Sequence, residues 1–134
     1  MTSRPGEENE EILFEVRTKA LESMTDQELA AIGSKGEAGW KTRGLGPLRV
    51  LKDPKTGRAR IVMRSEPNAN VVVNSPLIED NRYDITPSGS NGASLKMGIY
   101  MNGKLKNWVF KIKAMDFAHE LVDCLAGNEP LSKD

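Results

Sequence analysis

The dipeptide Asn102-Gly103 is the feature that most restricts how this chain can fold. Both residues accept positive φ, which a two-residue turn needs in order to follow the right-handed twist of the strands that it joins. The segments on either side, Ser94–Met101 and Lys106–Lys113, have the composition of β-strands. The sequence therefore predicts an antiparallel β-hairpin here.

A second hairpin is predicted around residues 53–57, whose sequence is Asp-Pro-Lys-Thr-Gly. The proline presets φ at the start of a turn, and the glycine supplies positive φ at its exit. The predicted arms are Trp40–Lys52 and Arg58–Arg64. In an extended arm, residues two positions apart share a face. Arg49 is therefore expected on the same face as Leu51, and Arg60 on the same face as Val62.

Three further strands and two helices complete the predicted order. The strands are at residues 12–20, 70–74 and 82–86. The sequence of residues 25–28, Thr-Asp-Gln-Glu, is a capping-box pattern ahead of a short helix at residues 29–32, which Gly33 ends. A longer helix is predicted at Met115–Ala126, with apolar residues at helical spacing and Gly127 at the C-cap position.

About seven antiparallel strands followed by one amphipathic helix predict a mainly β domain. The expected architecture is a small barrel of the pleckstrin-homology type, in which the C-terminal helix caps the open end and protects the core. We expect this domain at residues 7–127, after a disordered lead-in at residues 1–6 and before a tail at residues 128–134. Since the first predicted strand begins at Ile12, removal of residues 1–11 is expected to leave the thermal midpoint nearly unchanged.

The single cysteine, Cys124, excludes an internal disulfide framework and suits a reducing compartment, the cytosol or the nucleus. Its expected role is that of a small buried side chain on the C-terminal helix. Apolar runs are only a few residues long, so no segment is expected to span a membrane. The N-terminus also lacks the apolar region of a secretory signal.

The charges of the chain are segregated, although its formal net charge is zero. Residues 1–34 carry eight acidic and three basic side chains, for a net charge of −5. Residues 35–64 carry nine basic and two acidic side chains, for a net charge of +7. Such a basic stretch indicates either an anionic partner or a merely solvated surface.

The residues of common active sites are missing or badly spaced. The only histidine, His119, is expected to be solvated, and one histidine with one cysteine supplies neither a zinc site nor a catalytic dyad. The glycines at 44 and 46 lack the third glycine of a dinucleotide loop and the lysine of a nucleotide-binding P-loop. We therefore expect a binding module without catalytic activity, cofactor or metal.

Four spaced segments resemble motifs of Ran-binding domains. Residues 40–52, WKTRGLGPLRVLK, resemble the W-K-x-R-G-x-G signature and the basic strand that follows it. Residues 60–64, RIVMR, resemble the L-L-M-R strand, and residues 70–74, NVVVN, resemble a strand that ends on Asn. Residues 8–19, ENEEILFEVRTK, resemble the acidic entry strand. The resemblance covers residues 7–127.

This resemblance implies a pleckstrin-homology-like fold and binding of the small GTPase Ran in its GTP-bound form. In the family, the acidic C-terminal tail of Ran lies over a basic face of the domain, and the acidic N-terminal arm of the domain reaches onto Ran. The segments with net charges of +7 and −5 have the signs and the order for this exchange. The residues implied to contact Ran are Glu10, Glu11, Trp40, Lys41, Arg43, Gly44, Gly46, Arg49, Arg58, Arg60, Arg64 and Asn74.

Residues 95–101 and the tight turn after them replace the W-V-W strand and the long acidic loop of many family members. This shortened form resembles the nucleoporin branch. That branch implies a role in nucleocytoplasmic transport at the nuclear pore complex, in the nucleus, with importin as a possible further partner in a larger complex. We expect a monomer that binds neither nucleic acid nor membranes.

Other interpretations remain open at this stage. The basic hairpin is also compatible with a phosphoinositide-binding pleckstrin-homology domain, although its turn carries only Lys55 and Arg58 as bases. A domain of the same fold that binds proline-rich peptides would need more exposed aromatic residues. Trp40 is also compatible with a role in the core, and the glycines at 44 and 46 with a bulge or tight bend.

Overall fold

The computed structural model of the chain describes residues 10–24, 27–28, 39–78 and 81–129. Seven strands and one helix lie in these ranges. They are β1 (Glu11–Ser23), β2 (Trp40–Lys52), β3 (Ala59–Ser65), β4 (Asn70–Pro76), β5 (Asp84–Ser88), β6 (Gly92–Met101), β7 (Lys104–Ile112) and α1 (Met115–Gly127). The mainly β prediction with a C-terminal helix is confirmed.

The strands form one antiparallel sheet in the order β4-β3-β2-β1-β7-β6-β5. Strand β1 is central: it pairs with β2 from Glu11 to Ser23 on one side, and with β7 only from Lys19 to Glu22 on the other. The sheet curls so that edge strand β4 meets β6, where the amide of Tyr100 donates to Ser75 Oγ at 3.1 Å. This curvature produces the predicted barrel.

The core lies inside the curled sheet and under one face of α1. The inward residues of β6 and β7 are almost fully buried, and Trp108 stacks on Phe110 with ring centroids 6.2 Å apart. The helix contributes Ala118, Leu121 and Leu125, which are completely buried. Each fully buried leucine contributes about 1.5–3 kcal/mol through removal of its apolar surface from water, so the helix holds the barrel closed.

Both predicted hairpin turns are confirmed. Asn102 and Gly103 have φ values of 55° and 75°, the positive values that the Asn-Gly signal predicts. In the other turn, Gly57 has a φ of 74°, and Asp53 Oδ1 accepts a hydrogen bond from the amide of Lys55 at 2.8 Å. Local side-chain chemistry thus accounts for the two tightest connections.

Several predicted boundaries differ from the observed ones. Strand β1 extends to Ser23, and β5 lies two residues later than predicted, at Asp84–Ser88. The last helical residue is Gly127, and the C-cap is Asn128, whose side chain donates to the Cys124 carbonyl at 2.7 Å. The hydrogen bond from the Asn128 side chain thus caps the C-terminus of the helix, the role that the sequence predicted for a glycine. The short helix predicted at residues 29–32 lies outside the described residues, although residues 27 and 28 are helical.

Leu51 and Val62 are buried although they face away from the barrel core. Their faces follow the predicted alternation, but their exposures are only 0% and 3%. The cross-strand neighbours of Val62 are Arg49 and Asn74, and one of those of Leu51 is Arg60. Long side chains bury their stems over apolar neighbours while the charged ends stay in water. The outer face of this hairpin therefore carries a small apolar layer of its own.

Gly46 sits where the end of β3 passes close over β2. A Cβ atom at this position would lie 2.0 Å from the carbonyl oxygen of Arg64, and the amide of Glu66 donates to the Leu45 carbonyl at 2.8 Å beside it. Backbone rather than a flexible side chain fills this space. The glycine thus permits the close approach of two strands.

We expect Gly46→Ala to lower the free energy of unfolding by about 2–3 kcal/mol, because the added methyl group forces the backbone of β3 away from β2. Gly127→Ala is the control, since a Cβ atom there meets nothing within 4 Å. That change is expected to be neutral or to stabilise α1 by up to about 1 kcal/mol. Chemical denaturation of both variants measures the difference, and equal stabilities would contradict the close approach.

Candidate functional site

The outer surface of β2, β3 and β4 gathers four of the residues implied to contact Ran: Arg49, Arg60, Arg64 and Asn74. We call this set the arginine face. Arg49 pairs in register with Val62, and Val62 pairs with Asn74 on its other side. A groove of about 240 Å³ at its edge is lined in part by Arg49, Val62 and Arg64. The antiparallel register therefore brings together residues that are distant in the sequence.

Arg60 makes the most complete set of bonds on the arginine face. Its Nη2 donates to Glu10 Oε1 at 2.6 Å, and its Nε donates to Glu10 Oε2 at 3.0 Å. Its Nη1 donates to Asn74 Oδ1 at 2.9 Å. A forked pair of bonds between guanidinium and carboxylate is among the strongest polar contacts in proteins. Arg60 is thus held in the geometry that recognises a carboxylate.

The neighbouring arginines are also engaged. Arg49 Nε donates to Glu15 Oε2 at 2.6 Å, from the adjacent strand β1. Arg64 Nη1 donates to the carbonyl oxygen of Ala69 at 3.0 Å. The arginine face is therefore neutralised in part by Glu15 of β1 and by Glu10, the residue just before β1.

A second group of charges lies at the other end of β2, near the tip of the β6–β7 hairpin. Glu22 binds both Arg43 Nε at 2.6 Å and Lys106 Nζ at 3.1 Å, and Glu28 Oε2 lies 2.9 Å from the same Nζ. Burial lowers the pKa of Lys106, but the bonds to Glu28 and Glu22 outweigh it, so the pKa lies above its usual value. We call these four residues the end cluster.

Arg43 reaches the end cluster through an irregularity in β2. Ala20 pairs with Gly44, but Leu21 pairs with Thr42, so Arg43 is the extra residue of a β-bulge. A Cβ atom on Gly44 would lie 2.8 Å from Ser65 Cβ. Of the two roles expected from the sequence for these glycines, a bulge or a tight bend, the bulge is present beside Gly44.

The remaining residues implied to contact Ran are spread along the same sheet. Trp40 and Lys41 are half-buried at the start of β2, opposite Ser23 and Glu22. Arg58 is exposed after the turn, and Glu11 is exposed opposite Lys52. The six residue steps from Arg43 to Arg49 span about 20 Å of extended chain. The twelve residues therefore form an extended surface with two charged centres rather than one compact site.

The expectation that residues 1–11 lie outside the barrel is wrong for the last two of them. Glu11 is the first residue of β1, and Glu10 bonds Arg60 with a side chain that is only 12% exposed. The sequence did not show this because the partner lies 50 residues away along the chain. The only local signal was the strand alternation of the residues that follow.

In the described ranges there is no group of three or more His, Cys, Asp or Glu side chains that could hold a metal ion. His119 is exposed, as predicted, and burial raises the pKa of the half-buried Cys124 thiol. No described helix has the length and apolar character needed to cross a bilayer.

Comparisons with known proteins place this arrangement in context. The family model of the RanBP1 domain matches residues 3–127. Nucleoporin NUP152 of Chaetomium thermophilum is 32% identical over 133 residues, covering 90% of this chain and 9% of that protein. A Ran-specific GTPase-activating protein homolog of Dictyostelium discoideum is 33% identical over 117 residues, covering 87% of this chain and 47% of that protein. This chain thus spans less than half of either relative.

A solved structure has the same fold. It is the crystal structure of the Ran-binding domain of the nuclear complex component Nup2 from Ashbya gossypii. The TM-score is 0.70 at 28% sequence identity, with 90% of this chain and 96% of that chain covered.

The bond between Glu10 and Arg60 is expected to stabilise the fold. Glu10→Gln should lower the free energy of unfolding by about 1 kcal/mol, because it removes a carboxylate from a partly buried guanidinium. The loss should largely disappear when Arg60→Met is already present, since the two changes remove the same interaction. Denaturation of the two single variants and the double variant measures this coupling.

The half-exposed pair between Arg17 and Glu66 is the control, with side-chain exposures of 50% and 47%. Glu66→Gln is expected to change stability by less than about 0.5 kcal/mol, because exposed ion pairs contribute little. Equal effects of Glu10→Gln and Glu66→Gln would show that Glu10 does not belong to the fold.

Proposed function

This chain belongs to the RanBP1 domain family, and on that basis we propose that it is a non-catalytic domain that binds the GTP-bound form of the small GTPase Ran. The family name and the names of the relatives support binding of Ran. The preference for the GTP form follows from the resemblance described above, in which contact depends on the released acidic tail of Ran.

The arginine face is the observation that carries this proposal. Arg49 and Arg60 already hold carboxylates in charge-assisted bonds, at 2.6 Å in both cases. A receptor for an acidic tail needs guanidinium groups that are ordered in advance, because fixing long side chains on binding costs free energy. In this domain Glu15 of β1, and Glu10 just before β1, supply that order. The tail of Ran would exchange for, or add to, these internal carboxylates.

The setting that we propose is the nuclear pore complex, within nucleocytoplasmic transport. Several relatives are named as nucleoporins, which supports a nuclear location for this domain. We further propose that the domain binds as a monomer and that importin joins a larger complex through other segments.

The phosphoinositide alternative finds no support in the turn at residues 53–57. The Asp53 carboxylate accepts a hydrogen bond from the amide of Lys55, so an acidic side chain lies against the backbone of this turn. The arginines that would be needed for a phosphate group lie instead on the outer face of the sheet, bound to glutamates. We therefore do not carry this alternative further.

Titration with Ran loaded with GTP or with GDP tests the nucleotide preference. We expect measurable binding of the GTP form and binding weaker by a factor on the order of 100 for the GDP form, equal to about 2.7 kcal/mol. Calorimetry on the purified domain suffices, because no other component is involved. Equal affinity for both forms would overturn the proposed preference.

Arg60→Glu tests the role of the arginine face. Charge reversal adds repulsion to lost attraction, so we expect a loss on the order of 2 kcal/mol in the affinity for Ran-GTP. Ran without its acidic tail should bind the wild type and the variant with similar affinity. The control is Lys104→Glu, an exposed position at the tip of the β6–β7 hairpin. Equal losses for tailed and tailless Ran would place the tail elsewhere.

A further inference from the structure

A third set of basic side chains lies where β1 and β7 meet: Arg17, Lys19, Lys111 and Lys113. We call it the seam cluster. Lys19 and Lys111 are directly opposite each other in the register and both are exposed. Lys113 is exposed just beyond Ile112, the last residue of β7, and Arg17 is the outward residue before Lys19 on β1. Like charges directly opposite each other destabilise a sheet. The fold thus tolerates a repulsive arrangement here.

The seam cluster differs from the arginine face in its lack of internal carboxylates. Among the residues that the structure describes, no ion pair involves Lys19, Lys111 or Lys113, and only Arg17 has an acidic partner, Glu66. Arg49 and Arg60 are held by Glu15 and Glu10, whereas these three lysines have no such partner among the described residues. The lysines of the seam therefore keep positive charge that is available to a partner.

The seam cluster borders a groove with a volume of about 440 Å³. Strands β1 and β7 pair only from Lys19 to Glu22, so they separate at the position of the cluster. The loop between β5 and β6 lines the groove with Ser88, Ser90 and Asn91, and none of its lining residues is acidic. Leu45, which is 46% exposed and lies opposite Lys19, adds an apolar edge.

From these features we infer that the seam cluster binds an acidic polypeptide segment in extended conformation. Outward residues of one strand, such as Arg17 and Lys19 of β1, repeat about every 6.7 Å, and the alternate side chains of an extended peptide have the same repeat. A peptide with acids at alternate positions thus places carboxylates beside Arg17 and Lys19, and Lys111 lies directly opposite Lys19. The hydroxyl and amide groups of the β5–β6 loop are available for hydrogen bonds to the peptide backbone. Leu45 is available for contact with an apolar side chain of the peptide.

The shape of the site favours a peptide over a membrane surface. The basic side chains lie along a groove between separating strands, where an extended chain has access along its length. A bilayer is flat and would meet the rims of the groove first. This inference is independent of the proposed binding of Ran, since it concerns different residues and is tested without Ran.

The test uses the purified domain and a synthetic peptide of about ten residues with glutamate at alternate positions, an extended length of roughly 33 Å. The variant is Lys111→Gln with Lys113→Gln. The matched control is Lys55→Gln with Lys104→Gln, two exposed lysines away from the seam that give the same change in net charge. A peptide with glutamine in place of each glutamate controls for backbone contacts. Vesicles containing phosphatidylinositol bisphosphate form the last arm.

We expect the glutamate peptide to bind the wild type, and to bind the Lys111 and Lys113 variant at least about 10-fold more weakly because the field of the cluster is lost. The affinity of the matched control variant for the peptide should fall less than about 2-fold from that of the wild type. The thermal midpoint of the variant should stay the same or rise, since the repulsion at Lys19 is relieved. Equal losses in both variants, no peptide binding by the wild type, or lysine-dependent binding of vesicles alone would each overturn the inference.

Discussion

The pairing of β1 with strands on both of its sides is the constraint on which the rest of the structure depends. Its full length pairs with β2, and its last residues pair with β7, so one strand joins the two halves of the curled sheet. The same pairing sets Glu15 beside Arg49 and places Glu22 where Arg43 and Lys106 converge. Barrel closure and charge pairing are therefore two results of one register.

The segregation of charge in the sequence has a different meaning in the folded domain. Among the described residues, β1 of the acidic segment pairs with β2 of the basic segment, and Glu15 and Glu22 form ion pairs with Arg49 and Arg43. An external acid that displaced one of the glutamates from the arginine face, as proposed for the tail of Ran, would exchange one carboxylate for another. The free energy of such an exchange is a small difference between two similar bonds, so selectivity comes from how many carboxylates a partner presents and how they are spaced.

Local signals in the sequence predicted the parts of the fold that depend on local chemistry. The turn at Asn102 and the turn that ends at Gly57 were correct, as was the helix at residues 115–126. The twelve residues implied to contact Ran all lie on the sheet or at its ends, but their contact with Ran stays a prediction.

The partners of those residues could not be predicted, because a cross-strand contact joins positions far apart in the chain. Glu10 and Arg60 are 50 residues apart, and the bulge at Arg43 changes the direction of one side chain without any mark in the alternation around it. The free lysines of the seam were missed for the same reason: Lys19 and Lys111 become neighbours only when β1 pairs with β7.

The uneven pairing of β1 divides this strand into two parts with different local stability. Over Lys19–Glu22 it has a strand on each side, whereas residues 11–18 have a partner strand only in β2. Amide hydrogens in the doubly paired part exchange with solvent only when the barrel opens, while those of the N-terminal part exchange through a smaller local opening. Such an opening carries Glu10 and Glu15 away from Arg60 and Arg49. The hydrogen-exchange rate of a few backbone amides thus reports how often these glutamates leave the arginine face.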